Sequence, residues 1–574
     1  MLKNRFKQGT AVIAAVILLL SNLFFGLGSA SANSNDQKST GPQETKAQTK
    51  LDLSQFDHPD EKVRIIIELE GSPAIEYATE QGVLFKDLSK SKQNTLQAPV
   101  KEEQSSLLSS IKKKKINFSV ENTFTVVANG VSGEAKVSDI PKIESLSNVS
   151  SVYIANEYER PKVKPDMVSS GDIVQAEETW LDGYNGTGTV VGVIDTGIDP
   201  SHKDMVLTNE KKAKLSENDV KASISTNKLP GKYHTAKVPY GYNYYDKNQE
   251  ILDLGSDASM HGMHVSGTVG ANGQKETGGI KGIAPETQIL GLKVFGNDAA
   301  MPSTWGDIYI KAIDDAILLG ADVINMSLGS TASFQNAENP EQMAIERAVK
   351  NGVLMAISAG NSAQFSDGYY DPLASNPDIG LVGAPSLSKD SLSVASLENT
   401  HVFVDKFIFT IGGVDYEAGY KTQSSPLPLD VFKKAEQEVV YVADGSPDKY
   451  EGKDVKGKIV FAVRNAANPN YGEIQKQAED AGASGVIVRG TPAHGDFVSM
   501  ALNNPTIPLV SLRINDGTKF EEKIKEAGGN GKVKFTGDMI QLANLTAGHL
   551  STFTSWGVTP NLDFKPEITA PGGK

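Results

Sequence analysis

The stretch that decides the fold is Gly188 to Asp199, GTVVGVIDTGID. The apolar, β-branched run Val190 to Ile194 is typical of a buried strand, yet it leads directly into an acid, Asp195, at a tight Thr196-Gly197 corner. A buried carboxylate is costly unless it is paired. The pattern therefore predicts that a partner for Asp195 lies elsewhere in the chain.

Length and composition limit the classes of protein to consider. With 574 residues the chain predicts about two to four folded units. A net charge of -14 argues against a nucleic-acid-binding protein. The basic run Lys112 to Lys115 is interpreted as a solvated turn. Because Cys is absent, disulfides, thiolate metal sites and a catalytic Cys are excluded.

The N-terminus predicts export. Basic residues precede an apolar stretch from Ala11 to Phe25, and small residues ending in Ala30-Ser31-Ala32 form a cleavage site, so residues 1–32 are interpreted as a secretory signal peptide. The alternative is a membrane anchor, for which the apolar stretch is short. Residues 33–50, rich in polar side chains, are expected to form a disordered spacer.

The next unit, residues 51–160, predicts a small α+β domain. Strands are expected at Val63 to Leu69, Thr123 to Val131 and Val149 to Ala155, with a helix over Gln93 to Ile116. The unit holds no cluster of acid, base and nucleophile. Local sequence therefore indicates only a folding or binding module.

The central unit, residues 174–399, alternates predicted strands and helices. The strands are Val190–Ile194, Gln288–Phe295, Val323–Leu328 and Val353–Ile357, and the helices are Asp307–Leu319 and Gln342–Lys350. Strands separated by helices predict an α/β fold with a doubly wound parallel sheet. In such sheets the functional residues gather at the carboxyl ends of the strands.

Most polar candidates of the central unit follow a strand. The candidates are Asp195, the run Ser327, Leu328 and Gly329, Asn361 in SAGNS, and His261 at the start of a small-residue helix. A carboxylate can hold an imidazole in one tautomer while the imidazole takes a proton from a serine hydroxyl. An Asn amide can stabilise the oxyanion that forms in acyl transfer. Together these residue types are compatible with serine-type acyl transfer.

Five motifs in order resemble the signature blocks of the subtilisin-like serine proteases. They are VIDTG (193–197), HGMHVSG (261–267), GIAPE (282–286), NMSLGS (325–330) and SAGNS (358–362). The resemblance implies that Asp195 is the orienting acid, His261 the general base and Asn361 the oxyanion-hole side chain. It implies that Ser327, Leu328 and Gly329 form a strand edge that pairs with substrate, and that His264 is structural.

The chain departs from the family pattern at its end. FTSWGVTPNLDFKPEITAPGGK resembles the approach to the nucleophile, but the sequence stops at Lys574 before any G-T-S-M-A block. We therefore expect the nucleophilic serine to be absent from this chain, and the chain alone to fold poorly and to hydrolyse no peptide. Ser499, in VSMA, lacks the Gly-Thr lead-in and belongs to another domain.

The resemblance also assigns the remaining units. Residues 400–544 resemble the protease-associated (PA) domain that large subtilases insert before the serine, and residues 545–574 resume the catalytic domain, truncated. Residues 51–160 resemble the family's inhibitory propeptide, of the I9 type. Cleavage is expected between about Tyr158 and Ser170.

The sequence as a whole predicts a secreted subtilisin-like serine endopeptidase, extracellular or in the cell wall. Its expected partners are protein or peptide substrates and its own propeptide, with no nucleic acid and no membrane after signal cleavage. No cofactor is needed for the chemistry; structural calcium is compatible with the family, but no loop has a committed ligand spacing. Two alternatives stay open: an aspartic protease, because of Asp-Thr-Gly, and a non-catalytic binding protein or pseudoprotease.

Overall fold

The structure is a computed structural model that describes residues 51–573, except 52, 55, 57, 162–169, 256–257, 332, 364–381, 466–469, 492–494, 499, 501 and 503. The predicted signal peptide and spacer, most of the predicted cleavage interval and Ser499 lie outside the described residues. Over that described part, none of the helices combines the length and the apolar character that crossing a bilayer requires.

The N-terminal module, residues 51–161, is a helix-covered antiparallel sheet. Its elements are β1 (Lys62–Leu69), α1 (Ala74–Glu80), α2 (Lys90–Lys113), β2 (Phe118–Phe124), β3 (Gly130–Lys136), α3 (Ile140–Glu144) and β4 (Val149–Ile154). The strands pair in the order β2-β3-β1-β4. Ile65 and Ile67 of β1 share a buried cluster with Leu107 of α2. Ile66, on the opposite face of the strand, belongs to the core of the central unit.

One predicted strand of this module is wrong. Thr123 to Val131 is not continuous, because β2 ends at Phe124 and β3 begins at Gly130. The backbone N–H groups of Thr125, Val126 and Val127 are bonded instead to a carboxylate of the central unit. Since that acceptor comes from far along the chain, local periodicity could not reveal the break.

The central unit, residues 170–398 together with 557–573, is built on parallel strands separated by helices. Up to its first long insertion its elements are β5 (Glu157–Glu159, contributed by the module), α4 (Ser170–Ile173), α5 (Ala176–Leu181), β6 (Val190–Asp195), α6 (Glu217–Asn227), β7 (Tyr240–Asn243), α7 (His261–Gly270), β8 (Gln288–Lys293), β9 (Ser303–Trp305), α8 (Gly306–Leu318), β10 (Val323–Met326), α9 (Pro340–Lys350), β11 (Leu354–Ser358) and β12 (Leu392–Glu398). A short antiparallel ladder joins β5 to β9.

A closed barrel follows within residues 401–543. Its elements are β13 (His401–Ile411), β14 (Val414–Thr422), α10 (Pro428–Phe432), β15 (Gln437–Tyr441), β16 (Ile459–Val463), α11 (Tyr471–Asp480), β17 (Gly485–Arg489), β18 (Leu509–Leu512), α12 (Ile514–Glu526) and β19 (Asn530–Ala543). Its interior is aromatic, with Phe407, Phe409 and Phe535 all fully or almost fully buried. The assignment of residues 400–544 as a PA domain stays a prediction.

The chain then returns to the central sheet. β20 (Gly557–Val558) and β21 (Phe564–Lys565) form a small hairpin, and β22 (Ile568–Gly573) pairs in parallel with β12. The complete sheet has the order β22-β12-β11-β10-β6-β8-β7, and its strands run parallel. The predicted α/β fold with a doubly wound parallel sheet is confirmed.

The N-terminal module and the central unit share one hydrophobic core. Phe85 and Phe124 of the module lie in the same buried cluster as Ile313 and Ala316 of α8. Burying aromatic and aliphatic side chains in this way is worth about 1.5–3 kcal/mol for each. The module is therefore packed onto α8 as part of the fold and not tethered loosely beside it.

Candidate active site

The sheet brings the candidate residues to one edge. Neighbouring strands β6, β10 and β11 are in register at Ile194, Met326 and Ile357, near their carboxyl ends. Asp195 is the last residue of β6, while the Ser327 run and the Gly360-Asn361 corner follow β10 and β11. Because the strands are parallel, these residues emerge at the same edge of the sheet.

Asp195 is paired with His261. Nδ1 of His261 lies 2.8 Å from Oδ1 of Asp195, and the side chains are 13% and 1% exposed. The same oxygen accepts the N–H of Thr196 at 2.6 Å, while Oδ2 is buried without a hydrogen-bond partner. Nδ1 therefore carries the proton toward the carboxylate and leaves Nε2 as the basic nitrogen. The predicted partner of Asp195 is an imidazole and not a second carboxylate.

Two glycines allow this close approach. Gly262, the second residue of α7, lies so near the Asp195 corner that a Cβ there would come within 2.5 Å of the Gly197 carbonyl oxygen and 3.0 Å of Asp195 Oδ1. Gly197 itself has φ +134°, and a Cβ on it would lie 2.3 Å from the carbonyl of Ile251. The Asp-Thr-Gly and His-Gly motifs of the sequence therefore meet where Gly197 and Gly262 approach each other closely.

Charges around His261 favour its protonated form. Burial alone disfavours the imidazolium, but the charge and the hydrogen bond of Asp195, with the charge of Asp253, outweigh it and raise the pKa of His261 above its ordinary 6.5. An imidazole whose protonated state is stabilised can accept a proton during a reaction and hold it until it is passed on.

Lys293 is a buried cation that sequence reasoning missed. It lies level with Asp195 on the neighbouring strand β8 and is fully buried, with its ammonium donating to the carbonyl of Thr196. Burial lowers the pKa of Lys293 to about 8, against the pull of nearby acids that include Asp253 and Asp195. Its position in an apolar strand, LGLKVF, was the available signal, because buried strands rarely hold an unpaired Lys.

Asn361 lies in a loop held by the C-terminal stretch. Gly360, with φ +112°, turns the chain after β11, and its carbonyl accepts the N–H of Ser555 at 2.8 Å. Oγ of Ser555 in turn accepts the N–H of Ser362 at 3.0 Å. The Asn361 side chain is exposed, so its amide is available at the edge of the sheet. Like Lys293, Ser555 is a residue whose contacts near the site were not predicted from the sequence.

The residues of the predicted substrate edge directly follow β10. β10 ends at Met326, and Ser327, Leu328 and Gly329 continue without regular secondary structure. A separate short strand, β9, pairs its residues Ser303 to Trp305 with the tail of the N-terminal module. Sequence reasoning did not single out this strand, because three residues carry no periodic signal.

The described residues hold no group of three or more His, Asp or Glu side chains placed to bind a metal ion. His264, three residues after His261 on α7, is half-buried and donates its backbone N–H to Met260.

This chain is similar to known proteins of one family. Residues 186–574 match the subtilase family (Peptidase_S8), which is more than half of the chain. The PII-type proteinase of Lacticaseibacillus paracasei is 34% identical over 544 residues, covering 91% of this chain and 27% of that protein. The minor extracellular protease Vpr of Bacillus subtilis is 26% identical, covering 89% and 56%. The C5a peptidase of Streptococcus pyogenes is 30% identical, covering 67% and 32%.

The chain spans about a quarter of the length of the PI-, PII- and PIII-type proteinases that it matches. The family match covers β6, α7, β10 and β11, the elements that position the Asp195–His261 pair and the Asn361 loop. On the extent of that match, this chain belongs to the subtilase family of serine peptidases.

Proposed function

We propose that this chain carries the acid–base part of a secreted subtilisin-like serine endopeptidase. The observation that supports it most is the 2.8 Å contact between His261 Nδ1 and Asp195 Oδ1 at the carboxyl edge of a parallel sheet. In the proposed reaction Nε2 of His261 removes the proton of a serine hydroxyl while the serine oxygen attacks the peptide carbonyl carbon. The same proton then passes to the departing amine.

Asn361 is the proposed oxyanion donor. Its exposed side chain follows β11, two strands away from Asp195 in the sheet. A side-chain amide that donates to the developing oxyanion contributes about 10²–10³ in rate. Ser327, Leu328 and Gly329 lie between the two positions, as the proposed contact for substrate backbone.

The nucleophile is proposed to be a serine outside these 574 residues. Within the described part of the chain, Nε2 of His261 makes no hydrogen bond to a serine hydroxyl. A complementing segment or the full natural polypeptide would have to supply it. The 574-residue chain is expected to be inactive by itself.

The N-terminal module is proposed to be an intramolecular inhibitor that occupies the substrate cleft. Its last residues form β5, which pairs with β9, and the N–H of Arg160 extends the ladder to the carbonyl of Pro302 at 2.8 Å. An extended peptide paired with a strand is an arrangement that a peptide substrate can adopt. Release would then follow cleavage in the interval after Tyr158.

Buried carboxylates of the central unit hold this module. Asp307, fully buried at the start of α8, pairs with both Nε and Nη2 of Arg64 at 2.7 and 3.0 Å. Asp314, about two turns further along the same face of α8, accepts the N–H groups of residues 125–127. Glu341 accepts the hydroxyls of Tyr158 and Tyr309. Such contacts order the module against the cleft by charge-assisted bonds.

The deciding experiment compares the full natural polypeptide with the 574-residue chain. We expect the full polypeptide to hydrolyse a casein-type substrate, to be inhibited by a serine-directed phosphonate, and to lose activity on His261→Ala. The 574-residue chain should show no turnover. An active His261→Ala variant, or a full polypeptide that binds casein without cleaving it, would contradict the proposal and favour a binding protein.

A further inference from the structure

The side chain of Arg160 lies in a buried acidic pocket beside the catalytic edge. Nη1 of Arg160 is 2.6 Å from Oδ1 of Asp253, and the two side chains are 6% and 1% exposed. Nη2 donates to the carbonyl of Gly296, and the guanidinium carbon lies 5.8 Å from the ring centre of Phe295. The guanidinium thus meets a carboxylate, a carbonyl and an aromatic ring.

Arg160 lies on the buried side of the chain segment that continues β5. Glu157 and Glu159 of β5 are exposed, whereas Tyr158 and Arg160 are buried, as expected for alternate residues of one strand. The strand pairs with β9, so its inward side chains occupy the successive pockets that an extended peptide would fill. Arg160 occupies the pocket that follows the one taken by Tyr158.

Backbone N–H groups hold one oxygen of Asp253 independently of Arg160. Its second oxygen, Oδ2, accepts the backbone N–H groups of Ser259 at 3.2 Å and Met260 at 3.0 Å, directly before His261. Without Arg160, Oδ1 of Asp253 and the Gly296 carbonyl would have no hydrogen-bond donor among the described residues, and the buried Lys293 would be the cation whose charge acts on Asp253. A buried carboxylate oxygen in that position requires a cationic donor or water.

We propose that this pocket, formed by Asp253, Gly296 and Phe295, is a specificity site for an arginine side chain of the substrate, on the N-terminal side of the scissile bond. Arg160 occupies it until the N-terminal module is released. The inference rests on the proposed function and names the substrate class of that site.

The shape of the pocket favours arginine over lysine. Two acceptors from separate elements are reached by two different nitrogens of one planar guanidinium, Nη1 and Nη2. The ammonium of lysine is a single point and cannot span both acceptors, and it gains less from the face of Phe295. Loss of a hydrogen bond to a charged group reduces binding by about ten- to a hundredfold.

The first test uses the full natural polypeptide after processing, with fluorogenic peptides in which arginine or its neutral isostere citrulline is placed at each of the positions before the scissile bond. At one position we expect kcat/KM for arginine to exceed that for citrulline by about ten- to a hundredfold. Asp253→Asn should bring this ratio close to one while citrulline peptides are still cleaved. Asp298→Asn, which removes an exposed carboxylate nearby, should preserve the ratio.

The outcomes separate the two proposals. Hydrolysis without an arginine preference at any position, or a preference that survives Asp253→Asn, overturns the specificity site but not the peptidase. If no peptide is cleaved, the proposed function fails, and a second measurement on the full natural polypeptide decides the pocket.

That second measurement is chemical rescue of an emptied pocket. Arg160→Ala should lower the Tm, and millimolar ethylguanidinium should recover part of the loss by binding the folded state. Ethylurea, which is neutral, should not. Neither the wild-type chain nor the Arg160→Ala/Asp253→Asn double variant should respond to ethylguanidinium. Equal responses to both compounds, or no response in Arg160→Ala, would overturn the assignment.

Discussion

Nδ1 of His261 and Oδ1 of Asp195 are 2.8 Å apart, although 66 positions separate the two residues in the chain. The contact joins the end of strand β6 to the first residue of helix α7. Burial lowers the pKa of His261, but the charge and hydrogen bond of Asp195, with the charge of Asp253, raise it by more, so the pKa lies above 6.5. The pair therefore stabilises the fold fully below pH 6.5, and this contribution is lost as the pH rises through the raised pKa.

Asp195→Asn should lower the pKa of His261. The substitution removes the attractive charge but leaves burial, which disfavours the imidazolium, so we expect a decrease of about 1–3 pH units. The measurement is an NMR titration of the His261 ring protons in the full natural polypeptide. Asp298→Asn, an exposed change, is the control and should leave the titration where it is. An unchanged His261 pKa in Asp195→Asn would contradict the pairing.

Gly262→Ala should separate α7 from the Asp195 corner. The new methyl group would lie 2.5 Å from the Gly197 carbonyl, which cannot move without its strand, so we expect a loss of about 1–3 kcal/mol of stability. The peptidase activity of the full polypeptide should fall about a hundredfold, because the base is displaced from its acid.

Gly267→Ala is the matched control in the same helix. A Cβ at Gly267 meets its nearest atom at 3.9 Å, so the substitution should be neutral or slightly stabilising. Urea unfolding of both variants gives the comparison. Equal stabilities for the two variants would show that the close contact at Gly262 is not required.

Asp314→Ala should weaken docking of the N-terminal module. Its carboxylate is the acceptor for the backbone N–H groups of Thr125, Val126 and Val127, with the shortest contacts at 2.7 Å. Leaving these donors buried without an acceptor costs about 1–3 kcal/mol for each. Water that enters the space can accept some of these hydrogen bonds and reduce the cost. We expect a decrease of at least about 2 kcal/mol in the free energy of unfolding. Asp298→Ala should change it by less than about 0.5 kcal/mol.

The same carboxylate predicts a pH dependence of docking. Burial raises the pKa of Asp314 to about 6, although Lys311 and the three N–H groups oppose it, and burial also raises the pKa of Glu341. Because docking raises the pKa of this carboxyl group, the docked state of the module binds the proton more tightly than the undocked state does. The contribution is therefore fully present below the ordinary pKa of 3.8 and is lost as the pH rises through about 6.

This dependence can be measured after cleavage at a protease site engineered into residues 162–169. Retention of the cut module on the central unit should decrease between pH 4.5 and pH 7.5. In Asp314→Asn, which cannot ionise, retention should change less over the same range. Retention that increases with pH in the unsubstituted protein would contradict this prediction.

Sequence reasoning located the strand ends and their polar residues because both depend on local patterns. The run Val190 to Ile194 and the motifs around His261 are short, and each carries its own period or composition. It missed contacts made by single side chains from distant elements. Arg160 and Asp253, 93 positions apart, have no local pattern that relates them, and the same holds for Asp314 and the N–H groups that interrupt the predicted strand at Thr123 to Val131.

Ser555→Ala should affect catalysis more than binding. Oγ of Ser555 fixes the N–H of Ser362, next to the proposed oxyanion donor Asn361, while its backbone N–H would still hold Gly360. The loop should therefore remain but orient the amide less well. In the full natural polypeptide we expect kcat to fall about tenfold with KM nearly unchanged, since the amide acts mainly on the transition state. Thr546→Ala, in an exposed turn of the same stretch, should leave both constants unaltered. A rise in KM at constant kcat would show instead that the Asn361 loop contributes to substrate binding, because only an interaction equal in ground and transition states produces that pattern.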